Sequence, residues 1–319
     1  MNRRCSRLRK SIRAAFAAAC LFAANSPLTA GGDEPSPLAQ RLTPLIEAHR
    51  GRVAVAVKQL ESGEGFAHRE NEPMPTASLI KFPVLIELYR QAEAGEADLN
   101  KTLTLQESDK APGSGILTSH FSAGASFSLR DAARLMIAFS DNTATNLVLD
   151  EIGLPATSET MVRLGYANTQ LHNKVFGSRK TSIAPERSAK FGLGSTTAAE
   201  MLKLFEALHR KQLVSEAACD QMLKHLQACQ DRDRFSRLLP PGTAVAFKTG
   251  SVNAARTAAG IIESPSGPIA VCVLTADNED RRWTRDNAGD VLCARIAQAA
   301  FEHFNPSEQR EGKVPTSQQ

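Results

Sequence analysis

Apolar residues recur along this chain in two rhythms, and each predicts a different kind of element. Between residues 39 and 50 they fall at Leu42, Leu45 and Ile46, one face of a helix. RVAVAVKQLE from Arg52 reads as a strand, ESGEG as a turn, and Gly65 to Arg69 as a second strand. From about Ser78 to Leu208 helical patterns dominate, interrupted by Gly, Ser and Pro, and LVSEAACDQMLKHLQAC (213–229) adds another helix. After PPG the rhythm shortens again. TAVAFKTGS (243–251), RTAAGIIES (256–264) and GPIAVCVLTA (267–276) read as three strands, and NAGDVLCARIAQAAFEHF (287–304) closes the pattern with an amphipathic helix.

Strands therefore lie at both ends of the chain and helices lie between them. The simplest packing joins both sets of strands in one antiparallel sheet flanked by the terminal helices. The expected fold is α/β (α+β): one lobe from about 39–72 and 212–305, with an all-helical lobe, about 73–211, inserted. A cleft between two such lobes is the natural place for a site.

Residues 1–30 stand outside this pattern. MNRRCSRLRKSIR carries six basic residues and no acid, AAFAAACLFAA is a short apolar run, and PLTA ends in a small residue. This is the layout of a cleaved export signal, too short for a stable membrane anchor. An exported protein, periplasmic or extracellular, is expected. Residues 31–38 read as a flexible mature N-terminus and 306–319 as a disordered tail. Without the signal the balance is 32 basic to 34 acidic residues, so the net charge of +4 belongs to the leader. Nothing in the remainder suggests a nucleic-acid partner or a charged membrane surface. Of the six cysteines, Cys219, Cys229, Cys272 and Cys293 remain. Cys219 and Cys229 lie roughly 15 Å apart along one helix, too far to bridge, and all four are expected to be buried thiols. No CxxC or HExxH occurs, so neither a metal site nor another cofactor is expected.

PTASLIKFPVLIELY (75–89) places Lys81 at the mouth of an apolar segment, three residues after Ser78. A lysine there can snorkel, its stem on apolar neighbours and its amine in water. On a helix it also shares a face with Ser78, placing an amine beside a hydroxyl. Ser-x-x-Lys alone is too common to decide between the two. Further on, FSDNTATNLVL contributes Ser140, Asp141 and Asn142, and FKTGS contributes Lys248, Thr249, Gly250 and Ser251. In this order and with these separations the three motifs resemble those of class A β-lactamases, within the penicillin-recognising serine hydrolases. The likeness runs from about residue 39 to 305, and GSGIL (113–117), TTAAEM (196–201) and Trp283 add to it.

The resemblance implies a β-lactam-opening hydrolase working through an acyl-serine, or alternatively a D-Ala-D-Ala peptidase or a slowly deacylating penicillin-binding receptor. The substrate is a small β-lactam or a cell-wall peptide, and the protein is expected to act as a monomer. Ser78 is then the nucleophile. Lys81 is the base, its pKa lowered by burial and by Lys248. Ser140 carries a proton to the leaving nitrogen, and Asp141 is structural. Asn142 binds the substrate's side-chain amide and Lys248 and Thr249 its carboxylate, Gly250 of the same motif is also substrate-binding, and the Ser78 and Ser251 amides form the oxyanion site. Arg256 resembles a second carboxylate-binding arginine. Pro83 suggests a kink or an irregular start to the helix. One part of the class A pattern is missing. The Glu-x-x-Leu-Asn that activates the deacylating water does not occur after Ser140, and the likeness places Val175 near the expected glutamate. Glu186 is the sole acid of the corresponding loop and so the candidate to replace it, with a solvent-exposed ion pair as its bland alternative.

Overall fold

The apolar runs from the two chain ends meet in one sheet. The computed structural model describes residues 35–178 and 180–306. The expected export signal, residues 31–34 of the flexible stretch and the tail from 307 onward lie outside them. In chain order the first elements are helix α1 (Pro37–Glu47) and strands β1 (Arg52–Gln59), β2 (Gly65–His68) and β3 (Met74–Pro75). A 3-10 turn (Ala77–Ile80) leads into α2 (Lys81–Glu93), followed by β4 (Thr102–Thr104), α3 (Leu117–His120), β5 (Ser126–Ser128), α4 (Leu129–Ala138), α5 (Asn142–Ile152) and α6 (Ala156–Arg163). Then come β6 (Gln170–Leu171), α7 (Pro185–Phe191), β7 (Gly194–Thr196), α8 (Ala198–His209) and α9 (Glu216–Gln227). The chain closes with β8 (Val245–Val252), β9 (Ala255–Ile262), β10 (Ile269–Ala276) and α10 (Ala288–Phe304).

The main sheet has the order β2-β1-β10-β9-β8, with every neighbour antiparallel. Alternation along each strand divides the core in two. Val53, Val55 and Val57 face α1 and α10 together with Val271 and Val273, while Ala54, Ala56, Cys272 and Leu274 face the central helices. Small residues on that second face let α8 lie close across β1, β9 and β10. Because both faces are covered, the strands read as unbroken apolar runs. All four described cysteines are free and buried.

The expected sheet from both chain ends is present. The inserted part is not all-helical, because β4 pairs with β5 and a small sheet β3-β7-β6 lies beside the helices. Strands of two or three residues are too short to show a period of two. Helix α1 starts inside the stretch expected to be flexible: Ser36 caps it and Leu38 is buried.

Helix α2 is buried around nearly its whole circumference, Lys81, Glu87 and Gln91 included, which fits only a central position. It touches α4, α5, α6 and α9, and the Phe82 ring lies 4.3 Å from that of Phe205 on α8. Pro83 is the third residue of α2. In the first turn its missing N–H removes no intrahelical bond, so the irregularity lies before it, in the 3-10 turn.

Candidate active site

Ser78 sits in the 3-10 turn at the head of α2, at the mouth of a cleft of about 750 Å³. The residue before it, Ala77, has φ +47°, a left-handed conformation an alanine adopts at a cost. Beside the turn runs β8, the edge strand of the sheet. A Cβ on Gly250 would stand 2.4 Å from the Thr76 carbonyl oxygen and 2.8 Å from the Leu79 nitrogen. Only glycine lets the strand approach this closely, and that approach brings Ser251 beside Ser78. Among the described residues the Ser78 hydroxyl makes no side-chain hydrogen bond.

Lys81 does not snorkel; it is wholly buried. Its Nζ donates to the Ser140 carbonyl at 2.6 Å and to Asn142 Oδ1 at 2.9 Å, and lies 3.3 Å from Ser140 Oγ. From the other side Lys248 Nζ donates to the same Ser140 Oγ at 3.1 Å and to the Thr249 carbonyl at 2.6 Å. Two ammonium groups sharing one hydroxyl, roughly 6 Å apart or less, would repel by about 3 kcal/mol at an effective dielectric near 20. Burial first, and the Lys248 charge second, hold Lys81 well below its ordinary pKa. Burial lowers Lys248 to about 8, with Arg234 pushing the same way. The arrangement therefore disfavours charging both lysines at once. A neutral Lys81 spends both N–H groups on oxygens that can only accept, and its lone pair remains for a hydroxyl proton.

Ser140 has φ +52°, which turns its side chain between the lysines. Asp141 is the N-cap of α5, accepting from Ala144, and its other oxygen accepts from the amides of Ile116 and Leu117 at 2.7 and 2.9 Å. It ties GSGIL to the helix. Asn142 donates to the Pro112 carbonyl at 2.8 Å, which leaves one amide N–H for a ligand. Ser114 of GSGIL donates to the Ser140 carbonyl at 2.8 Å and also lines the cleft, a contribution its motif did not specify.

At the far end of β8 two arginines share Asp290 of α10. Arg256 reaches it at 3.3 Å and donates further to the backbone carbonyls of Val252, Ala255 and Arg282. Its guanidinium stacks 4.8 Å from the Trp283 ring. It is buried and does not line the cleft. Arg234 does. Its Nε meets Asp290 at 2.6 Å, Nη1 meets Asp231 at 2.7 Å, and Nη2 donates to the Ser251 hydroxyl. Two of its five N–H groups stay available. Of the two buried arginines, Arg234 lines the cleft and Arg256 does not. No sequence signal separated the two, since DRDR (231–234) has no motif partner. Arg234→Ala is expected to slow acylation by a penicillin about 10- to 100-fold relative to its uncharged methyl ester, as loss of a charge-assisted bond of about 1.5–3 kcal/mol requires. Acylation rates of acid and ester on both arginine variants check this. Arg256→Ala should change the two compounds alike, through loss of support.

Residues 37–304 match the model of the beta-lactamase enzyme family. The chain belongs to that family. The extended-spectrum beta-lactamase PER-1 of Pseudomonas aeruginosa is 25% identical over 276 residues, 83% of this chain and 86% of that protein. Among solved structures, a beta-lactamase from Sphaerobacter thermophilus is 31% identical, covers 85% of this chain and 98% of its own, and superposes with a TM-score of 0.74. A protein named PBP-A, at 22% identity and a TM-score of 0.73, shares the fold, with 84% of this chain and 96% of its own covered.

Within this family member the position expected for the missing glutamate and the sole candidate acid fall in different places. Asn146 of α5 holds the backbone of Val175 at both ends: Val175 N–H donates to Oδ1 at 2.9 Å, and Nδ2 donates to the Val175 carbonyl at 3.1 Å. Val175 lines the cleft as an apolar side chain. Glu186 lies in the first turn of α7, exposed, and is not among the cleft residues, although Ser188 and Gly192 from the same helix and its end are. The single carboxylate among the described cleft residues is Asp231, whose oxygens are committed to Arg234 and to the backbone N–H of Asp233 and Arg234. His172 anchors this wall. Burial keeps it below its ordinary pKa, and Arg187 reinforces that. Because Arg187 donates to its Nε2, the proton sits on Nδ1 and goes to the Gly192 carbonyl at 3.0 Å.

Proposed function

We propose that this protein is an exported serine hydrolase that opens β-lactams through an acyl-Ser78 intermediate, and that hydrolysis of that intermediate is its slow step. The observation that carries the first half is the Ser140 hydroxyl held between buried Lys81 and Lys248 beside an unencumbered Ser78. Lys81, neutral, takes the Ser78 proton as Oγ attacks the lactam carbonyl. The amides of Ser78 and Ser251 receive the oxyanion, brought together by Gly250. The ring C–N bond then breaks, and Ser140 passes its proton to the departing nitrogen while Lys81 restores that proton. Lys248, Thr249 and Arg234 bind the substrate carboxylate, and the free N–H of Asn142 binds the side-chain amide. The second half rests on Val175, a hydrocarbon side chain where the family pattern places a carboxylate. A stalled acyl-enzyme favours action on D-Ala-D-Ala cell-wall peptides, for which the same groups serve. Export is supported by the composition of residues 1–30, and no helix among the described residues is long and apolar enough to cross a membrane.

The test is an intact-mass time course with benzylpenicillin, run over a pH series. One adduct per chain is expected, persisting for minutes. Lys248 binds a carboxylate only while protonated, and its pKa is about 8. Acylation efficiency should therefore fall as pH rises through about 8, and Lys248→Arg, charged throughout, should remove that fall. No adduct and no turnover would count against the acyl-serine reading. Rapid turnover without an adduct would overturn the slow step.

A further inference from the structure

A second cavity, of about 650 Å³, lies where the end of α1, the loop after β10 and the first turns of α10 meet. None of the residues lining it lines the Ser78 cleft. Val291 and Leu292 of α10 and Leu45 of α1 give it an apolar wall. Arg295 follows Val291 at i+4, so the same face of α10 that supplies apolar surface also supplies a cation. Arg50 comes from the turn after α1 and Arg281 from the loop after β10. The Glu279 N–H donates to the Arg50 carbonyl at 3.1 Å and ties these two segments together. All three arginines are exposed, and among the described residues none of their guanidinium groups has a carboxylate or another hydrogen-bond partner. The neighbouring Arg282 shows the ordinary arrangement, gripped by both oxygens of Asp280 at 2.9 and 2.8 Å.

Charge and donor geometry together specify a ligand. Asp280 cancels Arg282 and also accepts from the Ala288 N–H at 2.9 Å, while Asn287 takes the Gly289 N–H at 2.9 Å. The head of α10 is thus closed by the protein itself, and the groups left for an anion are the free guanidinium groups. Against these three arginines stands one uncommitted carboxylate, Glu279, exposed and without a side-chain partner among the described residues. The surplus is two positive charges, and a hollow lined by one sign of charge concentrates the opposite ion. A carboxylate, with two oxygens and one charge, would leave a guanidinium and a charge unmatched. A phosphate monoester presents three terminal oxygens and carries about 1.5 to 2 negative charges at neutral pH, and each oxygen can accept from a guanidinium fork. The wall of Leu45, Val291 and Leu292 offers cover to an apolar group on the ester. We propose that this cavity binds a phosphate monoester bearing an apolar group, at a site separate from the Ser78 cleft.

The experiment is a calorimetric titration of the protein with phenyl phosphate and with inorganic phosphate. Phenyl phosphate is expected to bind about tenfold tighter, as cover for part of one ring supplies. Replacing Arg281→Gln and Arg295→Gln together should weaken phenyl phosphate at least about 30-fold. The melting temperature should stay the same, because neither guanidinium holds a partner in the free protein. Glu279→Gln should act in the opposite direction and tighten binding at least about threefold, by removing the one carboxylate that opposes the ligand. The Ser78 cleft also carries cations, so Lys248→Ala is titrated in parallel and should leave phenyl phosphate binding unchanged. Two vesicle preparations, phosphatidylcholine with and without phosphatidic acid, separate the sources of the ester. Arginine-dependent retention on the phosphatidic acid vesicles identifies a lipid headgroup, and binding of phenyl phosphate without such retention identifies a soluble ester. Absence of binding, equal affinity for the two phosphates, or indifference to the paired arginine replacements overturns the site. Binding lost in Lys248→Ala and kept in the arginine variant places the phosphate in the cleft and overturns it as well.

Discussion

Ser78→Ala should lower covalent labelling by a fluorescent penicillin at least about a thousandfold, the scale on which losing a nucleophile acts, and leave the melting temperature nearly unchanged. The two halves have separate physical grounds. The cleft contains several other hydroxyls, among them Ser114, Ser140, Thr249 and Ser251. Each is already engaged or lies on the strand. Ser140 accepts from Lys248 and lies against the Lys81 amine, Ser114 donates to a carbonyl, and Ser251 accepts from Arg234. Ser78 alone combines an unengaged hydroxyl with a place at the head of a helix, where developing negative charge is favoured. For stability, the Ser78 side chain has no hydrogen-bond partner among the described residues to orphan, so the variant should fall within about 0.5 kcal/mol of the parent. Labelling at the parent level, with the adduct mapped to another serine, would end the assignment. A large fall in melting temperature would show that Ser78 is structural.

The parts of this site legible in the sequence are those in which chemistry and position coincide within a few residues. Ser78 and Lys81 share one helix head, Ser140 and Asn142 flank a cap, and Lys248 to Ser251 lie on one strand. The sheet was legible for a similar reason: strands covered on both faces leave apolar runs too dense to miss. Arg234 was not legible. Whether it or Arg256 faces the ligand depends on how both divide Asp290, which lies far along the chain on α10. The small strands β3, β6 and β7 were hidden by their length. Glu186 was reached by elimination within a loop, and elimination carries no geometry; α7 leaves it in solvent. The left-handed residues Ala77, Ser140 and Phe176 have no sequence signature, since none is glycine or asparagine. All three line the cleft. Left-handed residues also occur away from the cleft, at Arg69, Lys211, Val214 and Asp277, but strain at Ala77 and Ser140, on either side of the buried lysine, is of the kind that holds a site in shape.

Val175→Glu should convert a persistent acyl-enzyme into a turning-over one. The Asn146 clamp engages only the backbone of residue 175, so the position is fixed whichever side chain it carries. A carboxylate there would point from the cleft wall, near Ser78 and the buried lysines, where a water could reach both it and the ester. A positioned general base is worth about 10²- to 10⁴-fold, and deacylation of benzylpenicilloyl-Ser78 should accelerate by at least the lower figure. Val175→Gln matches the glutamate in size and polarity but cannot take a proton, so its adduct should persist like the parent's. Glu186→Gln should leave the time course unchanged. Intact-mass decay of the adduct, together with steady-state hydrolysis of a chromogenic cephalosporin, reads all three variants. Equal acceleration by glutamate and glutamine would mean that opening the apolar wall to water, not base catalysis, limits deacylation. A slowed time course in Glu186→Gln would return the base to α7 and require that helix to turn toward the cleft once Ser78 is acylated.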